Sequence, residues 1–399
     1  MSIIEDFIQA IHKSPIRASL VIVGGGSDAI GMLLKFGNGS ATLLDAQVPY
    51  HMDAFSEYIG GKPDSFASEV AARNLAMAAY QRATKLRDRQ GDGDVVGISC
   101  TASLAKPDGE REGREHKIYV SAQGSKFTLT HSIVLQQGMT RLEEEKLSTL
   151  MVLNIIGKIA EVGELDYKKM GINFKNNENN KIAVKLTEPH HTISDLIRSQ
   201  PNPDAQSTFY MVGNNIGTFN LGTERSCNEF EKETDFSKLI FPGSFNPLHD
   251  GHKKMADYAE QLTDSPVTYE ISVSNVDKPY LNFTEIENRL QQFQENGFPM
   301  LLTKAATFLQ KAKMFRDCTF VVGSDTFMRL ANTKYYSCAL SEVTDQLKMY
   351  GAKFLVFQRK GSTIENVHGS FLDIAQIVPA EDYEDRGESS TEIRKKKTV

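Results

Sequence analysis

The stretch Phe241 to His252 reads FPGSFNPLHDGH, setting His249 and His252 three apart behind a glycine, directly after the apolar run Leu239, Ile240, Phe241. Two imidazoles at that spacing can share a metal ion, pack at a helix start, or hydrogen-bond an anion. Zinc asks for further Cys, His or acidic ligands, and no H-E-x-x-H pattern accompanies these two. Packing alone leaves the clustered glycines without a role. The anion reading uses every residue: Gly243 permits a turn after the strand, Ser244 and Phe245 offer backbone donors, and Gly251 lets a nucleotide approach the start of the next helix. An imidazole can bond a phosphate without a fixed positive charge and can stabilise charge that builds on a transferring phosphoryl group. The chemistry is then positioning and electrostatics, with no covalent intermediate.

Such a turn needs a strand behind it and a helix ahead of it. From Lys238 onward β/α alternation is legible, with TFVVG (Thr319 to Gly323) and AKFLVFQ (Ala352 to Gln358) as buried strands. Near the C-terminus, Ser389, Ser390 and Thr391 precede Glu392, Ile393 and Arg394. By itself this reads as an N-cap, Thr391 or Ser390 opening a short helix, although hydroxyl and backbone donors at a helix start with an arginine one turn on also suit phosphates. Earlier in the chain SLVIV (Ser19 to Val23), VVGIS (Val95 to Ser99) and KIYVSA (Lys117 to Ala122) read as strands between helical stretches, a second α/β arrangement. A capping box, Thr140 with Glu143, starts a helix expected to end near Ala160 and to close that domain. Polar runs between them, NNENN and QPNPDAQS, with strand-like STFYMV and GTFNL, suggest a connector. The expected division is 1–165, a connector over 166–236, and 237–399.

The 399 residues suit two or three domains. A net charge of -6, with Lys+Arg 45 against Asp+Glu 51, lacks the basic footprint of a nucleic-acid binder. The terminal Lys395 to Lys397 run reads as a solvated tail. Cys100, Cys227, Cys318 and Cys338 are scattered and read as reduced thiols. No apolar span suits a membrane and the charged N-terminal stretch fails as a signal peptide, so a cytoplasmic protein without membrane partners is expected.

Two resemblances sharpen these readings. VIVGGGSDA places Gly24, Gly26 and Ala29 in G-x-G-x-x-A spacing, with Asp45 ending the next apolar run. This is close to a dinucleotide fingerprint, yet a plain strand-to-helix turn explains it as well. The order VGGGSDAIGMLL, VPYHMDAFSEYIGG, ASEVAARNLAMAA, VGISCTASLAKPDG and RLEEEKLSTLMVLNIIGKIAE resembles the CinA C-terminal domain, the nicotinamide-nucleotide amidohydrolase family. The catalytic serine of that family falls on Gly24 here and its lysine near Phe55, so the resemblance implies a domain without nucleophile or base. It would keep a ligand pocket around Gly24 to Ser27 and Thr101, or serve as an assembly platform and support a homo-oligomer.

PGSFNPLHDGH resembles the T/HxGH signature of the nucleotidylyltransferase superfamily in its nicotinamide-mononucleotide adenylyltransferase-like form. The resemblance implies a Rossmann-like doubly wound parallel sheet, catalytic roles for His249, His252, Lys278 and Arg394, and ATP contacts from Gly243, Ser244, Phe245, Gly251, His252, Ser389, Ser390, Thr391 and Arg394. It implies that Gly323, Ser324 and Asp325 hold the acceptor, and that Mg2+ is bound mainly through the phosphates of ATP. Lys278 and Tyr280 sit in a loop ahead of a helix carrying Arg289, and Glu388 replaces the usual apolar residue before SSTEIR. The implied reaction gives NAD and pyrophosphate from ATP and the mononucleotide. Adenylyl or cytidylyl transfer to another acceptor such as phosphopantetheine, and a catalytically silent nucleotide-binding scaffold, stay open. A fragment starting near Glu231 is expected to suffice for the chemistry.

Overall fold

The computed structural model describes the chain apart from 1, 87–93, 107–114, 136–138, 173–180, 199–204, 213–214, 223–236, 277, 331, 333–335, 337, 361–368, 384–386, 388 and 398–399, with backbone alone for 205–210, 212, 215–222, 391 and 395–397. It forms two compact units: Met1–Pro189 with Asp277–Thr284, and His190–Val276 with Glu285–Val399.

The first unit is built on a mixed sheet of β1 (Arg17–Val23), β2 (Leu43–Gln47), β3 (Val95–Ser103), β4 (His116–Gln123), β5 (Thr128–Leu135) and β6 (Ala183–Thr187), in the order β2-β1-β3-β4-β5-β6. β1 runs parallel to β2 and β3, and β3 to β6 pair antiparallel. Alternation along β1 divides two cores, since successive side chains of a strand face opposite ways. Ala18, Leu20 and Ile22 pack with Leu147, Leu150, Met151 and Ile155 of helix Arg141–Ile159, while Val21 packs with Phe55, Ala71, Leu75 and Ala79. The capping box forms as the sequence implies: the Thr140 hydroxyl accepts from Glu143 N–H and the Glu143 carboxylate accepts from Thr140 N–H.

The second unit carries β7 (Ala205–Val212), β8 (Asn215–Gly222), β9 (Leu239–Pro242), β10 (Val267–Ser272), β11 (Met300–Thr303), β12 (Thr319–Gly323), β13 (Lys353–Phe357) and β14 (Ala375–Val378) in one sheet, ordered β14-β13-β12-β9-β10-β11-β7-β8. The six strands from β14 to β11 are parallel, and the hairpin β7-β8 adds antiparallel at the β11 edge. The chain winds outward from β9 through β10 and β11, then restarts at β12 beside β9 and winds the other way, the doubly wound order. Phe320, Phe327, Phe354 and Phe371 fill the core on one face, each of them buried. A fully buried side chain of that size contributes about 1.5–3 kcal/mol.

Three expectations change here. The segment 166–236 is not a separate connector: Ile172 packs in the first core, β6 completes the first sheet, and β7-β8 extends the second. A polar composition hid this, because edge strands bury little; Val184 and Leu186 of β6 are 52% and 53% exposed. The 277–284 stretch belongs to the first unit: Phe283 N–H donates to Thr128 Oγ1 at 3.1 Å, and the Thr284 and Thr187 hydroxyls bond at 2.8 Å. Cys100 and Cys338 are free thiols as read, whereas Cys318 is disulfide-bonded. Among the described residues no helix is long and apolar enough to cross a membrane.

Candidate active site

β9 ends at Pro242 and β12 at Gly323, side by side where the winding reverses, and crevices at such reversals are where open parallel sheets take ligands. The loop after β9 is set by a ring. A Cβ on Gly243 would stand 2.4–2.8 Å from the Phe245 ring, so only glycine lets that ring fold back. Phe245 itself is fully buried at φ 40, with its ring edge-on to Phe241, Tyr269, Phe293 and His252 at centroid distances of 5.0–5.4 Å. Its side chain is therefore an anchor, and any ligand contact must come from its backbone.

Helix Asp250–Thr263 follows, with extended His249 as N-cap. Its buried face presents Ala256 and Ala259, small residues that permit close seating on the sheet. The His249 and His252 rings stack 3.7 Å apart at 27°, and His249 N–H donates to His252 Nδ1 at 3.3 Å. Nδ1 thus acts as an acceptor, which puts the proton of the neutral ring on Nε2. Burial first, then the neighbouring His249 and the Arg359 guanidinium, push the His252 pKa down to about 3. The residue is a neutral donor at physiological pH, held at the positive end of a helix.

Ser389 caps the C-terminal helix Ser390–Lys397 by accepting from Glu392 N–H at 3.2 Å, one residue earlier than the sequence suggested. Ser390 Oγ donates to Pro247 O at 2.9 Å and Arg394 Nη1 to Asn246 O at 2.6 Å. These expected ATP contacts are made to the histidine loop in this structure. The Thr391 side chain, Glu388 and the side chains of Lys395 to Lys397 lie outside the described residues. Gly323 ends β12 with nothing within 4 Å of where a Cβ would stand, Ser324 is fully buried, and exposed Asp325 lies 3.5 Å from Arg359. Gly251 is half-buried and Ser244 exposed.

The second unit therefore brings together Gly243 to Phe245, His249, Gly251, His252, Ser389, Ser390 and Arg394, with Asp325 tied in through Arg359. Lys278 is not among them. It is exposed in the segment that folds with the first unit, where its Cε approaches Gly61. Arg359 was missed: it follows the buried run of β13 and so stands at a strand C-terminus, the one signal that pointed to it. Among the described residues no three His, Cys, Asp or Glu side chains gather as a metal cage.

Residues 240–396 match the cytidylyltransferase-like family model. The match spans the histidine loop, Gly323 to Asp325 and the Ser389 to Arg394 helix start, so this part of the chain is similar to that family. A probable nicotinate-nucleotide adenylyltransferase from Fusobacterium nucleatum is 28% identical over 174 residues, spanning 39% of this chain and 85% of that protein. The competence/damage-inducible protein CihA of Agrobacterium tumefaciens is similar to 40% of this chain and 99% of its own, at 18% identity and a TM-score of 0.33. A CinA superfamily protein of Escherichia coli covers 38% of this chain and 86% of its own, at 15% identity and a TM-score of 0.29.

The histidine loop of the second unit has no counterpart in the glycine turn of the first unit. There Gly24 and Gly26 take φ +82 and +85, and a Cβ on Gly24 would meet Ala102 O at 2.4 Å. Ser27 N–H and hydroxyl both donate to the Glu145 carboxylate, at 2.7 and 2.9 Å, so an internal carboxylate holds the place a phosphate would take in a dinucleotide fingerprint. Thr101 Oγ1 donates to Phe66 O, and Phe55 is 1% exposed in the core.

Proposed function

We propose that the chain transfers the adenylyl group of MgATP to a pyridine mononucleotide, nicotinamide mononucleotide in the first instance, forming NAD and pyrophosphate. An acceptor phosphate oxygen attacks the α-phosphorus. The bond from that phosphorus to the bridging oxygen breaks, and the electron pair leaves with pyrophosphate. Mg2+ belongs to the substrate here, held by the phosphate oxygens.

The observation that carries the reading is the neutral His252 with its Nε2–H donor at the N-terminus of helix Asp250–Thr263. A neutral donor at that place strengthens its hydrogen bond as charge grows on the α- and β-phosphates, without a tight ion pair that would hold the ground state equally well. His249, stacked on it, and Arg394, at the start of the C-terminal helix, join in holding the triphosphate; Gly323 and Asp325 hold the acceptor, with Arg359 between Asp325 and the histidines. Lys278, which the resemblance implies for the phosphates, belongs to the first unit. The named activity of the Fusobacterium relative supports a pyridine mononucleotide acceptor.

The test is incubation of the purified chain with MgATP and, separately, nicotinamide mononucleotide, nicotinate mononucleotide and phosphopantetheine, with CTP replacing ATP in parallel, following pyrophosphate and product. NAD formation is expected. Turnover of phosphopantetheine alone would move the acceptor while keeping the reaction class, and no turnover with any pair would leave a silent nucleotide binder.

A further inference from the structure

Four successive carbonyls of the histidine loop are each taken by a side chain. Arg289 Nε donates to Ser244 O at 3.0 Å, Gln292 Nε2 to Phe245 O at 3.3 Å, Arg394 Nη1 to Asn246 O at 2.6 Å, and Ser390 Oγ to Pro247 O at 2.9 Å. Gln292 Oε1 also accepts from Leu248 N–H at 2.7 Å, so this one amide grips the loop at two points. Arg289 is 6% exposed, and its Nη1 is bound to the Glu285 carboxylate at 2.9 Å, so its charge is already matched within helix Phe283–Asn296, which also carries Gln292.

The peptides after Ser244 and Phe245 are trans, and in a trans peptide the C=O and the next N–H point opposite ways. Carbonyls drawn toward Arg289 and Gln292 therefore turn the N–H groups of Phe245 and Asn246 away from that helix. Neither N–H has a hydrogen-bond partner among the described residues. A turn whose four successive oxygens are occupied and whose Phe245 and Asn246 amide hydrogens are unused repels cations and receives anions.

We propose that Arg289 and Gln292 are positioning residues for nucleotidyl transfer, which turn the loop carbonyls aside and present the Phe245 and Asn246 N–H groups to the phosphates of the nucleotide. This inference rests on the function proposed above. Neither side chain touches the nucleotide, and each acts through the loop. Ser390 and Arg394 contribute the same service from the C-terminal helix, in addition to any contact with ATP.

The test uses the full chain with Arg289→Lys and Gln292→Met. Arg289→Lys keeps a charge for Glu285 but loses the planar fork, so a defect reports the loop contact and not the ion pair. Gln292→Met keeps shape and loses both loop bonds. Each variant is expected to lower kcat/KM for MgATP by about tenfold or more, with the acceptor KM within about twofold and the melting temperature close to the parent. Wild-type kcat/KM for MgATP, or an acceptor KM that rises in step with a lowered melting temperature, would overturn the proposal. Hydrogen exchange of the 244–248 peptide separates this inference from the reading beneath it. If the parent chain transfers nothing, the proposed function falls, while faster exchange confined to that peptide in Gln292→Met still supports the clamp and unchanged exchange overturns it.

Discussion

Replacing His252 with Ala tests the site most directly, because three separable effects can be worked from its contacts. The first is kinetic. Removing one preorganised donor from a transition state costs roughly a hundredfold to a thousandfold in kcat, about 2.7–4 kcal/mol. ATP affinity should change less, since the ground-state triphosphate keeps its other contacts. The second is structural: His249 N–H loses its Nδ1 acceptor, and Phe245 and His249 lose a ring packed at 5.0 and 3.7 Å, which lowers stability by about 1–3 kcal/mol. The third is a pH signature. The folded-state pKa of His252 is lowered to about 3 from 6.5, so between those values the unfolded chain binds the extra proton. The stability this group contributes is full above about pH 6.5 and is lost as pH falls toward about 3. His252→Ala should flatten that acid loss. In the parent, kcat should show no limb near pH 6.5 belonging to His252, because the ring is already neutral there. Pyrophosphate release with MgATP and acceptor, beside circular dichroism and thermal melts across pH, measures all three. Near-parent kcat in the folded variant would reduce FPGSFNPLHDGH to a structural turn, and a parent limb near pH 6.5 that vanishes in the variant would refute the neutral donor.

Asp325→Ala should raise the acceptor KM tenfold or so while MgATP KM moves little, since Asp325 stands at the end of β12 and pairs with Arg359; equal losses for both substrates in steady-state kinetics would contradict this. A fragment starting near Glu231 should lose folded structure by circular dichroism and with it activity, because it strips β7-β8 from β11 and leaves 277–284 without its first-unit partners; a soluble, active fragment would reverse this. His131 is 3% exposed with neither ring nitrogen hydrogen-bonded among the described residues, and burial, then Lys158, push its pKa down to about 4. His131→Leu should stabilise the first unit by about 1 kcal/mol and remove stability loss otherwise incurred as pH falls from about 6.5 to 4, read by thermal melts; a lower melting temperature at neutral pH would show that His131 is satisfied.

Buried parallel strands were legible because they are short unbroken apolar runs: TFVVG coincides with β12, and AKFLVFQ contains β13. β5 was not, since TLTHSIVL places Thr128, Thr130 and His131 in buried positions that a reader assigns to a loop. The turn that carries the candidate site was legible where local backbone dictates it, at Gly243, His249 and His252. What stayed hidden depends on partners far along the chain. Phe283 N–H finds Thr128 across 155 positions and Arg394 finds Asn246 across 148. Nothing local in KPYLNF announces that it folds with the first unit, and nothing in SSTEIR announces which carbonyl its arginine takes.

That long reach has a consequence for synthesis. Ribosomes release a chain from its N-terminus, and a domain ordinarily folds once its own residues have emerged. The first unit cannot finish that way. The Thr128 hydroxyl, which donates to Gln123 Oε1 at 2.6 Å, waits for the N–H of Phe283, and the buried Phe283 ring is supplied only after all of 190–276 has been made. The nascent chain must therefore keep an incomplete first unit while it produces the opening strands of the second, so the two units share one folding schedule.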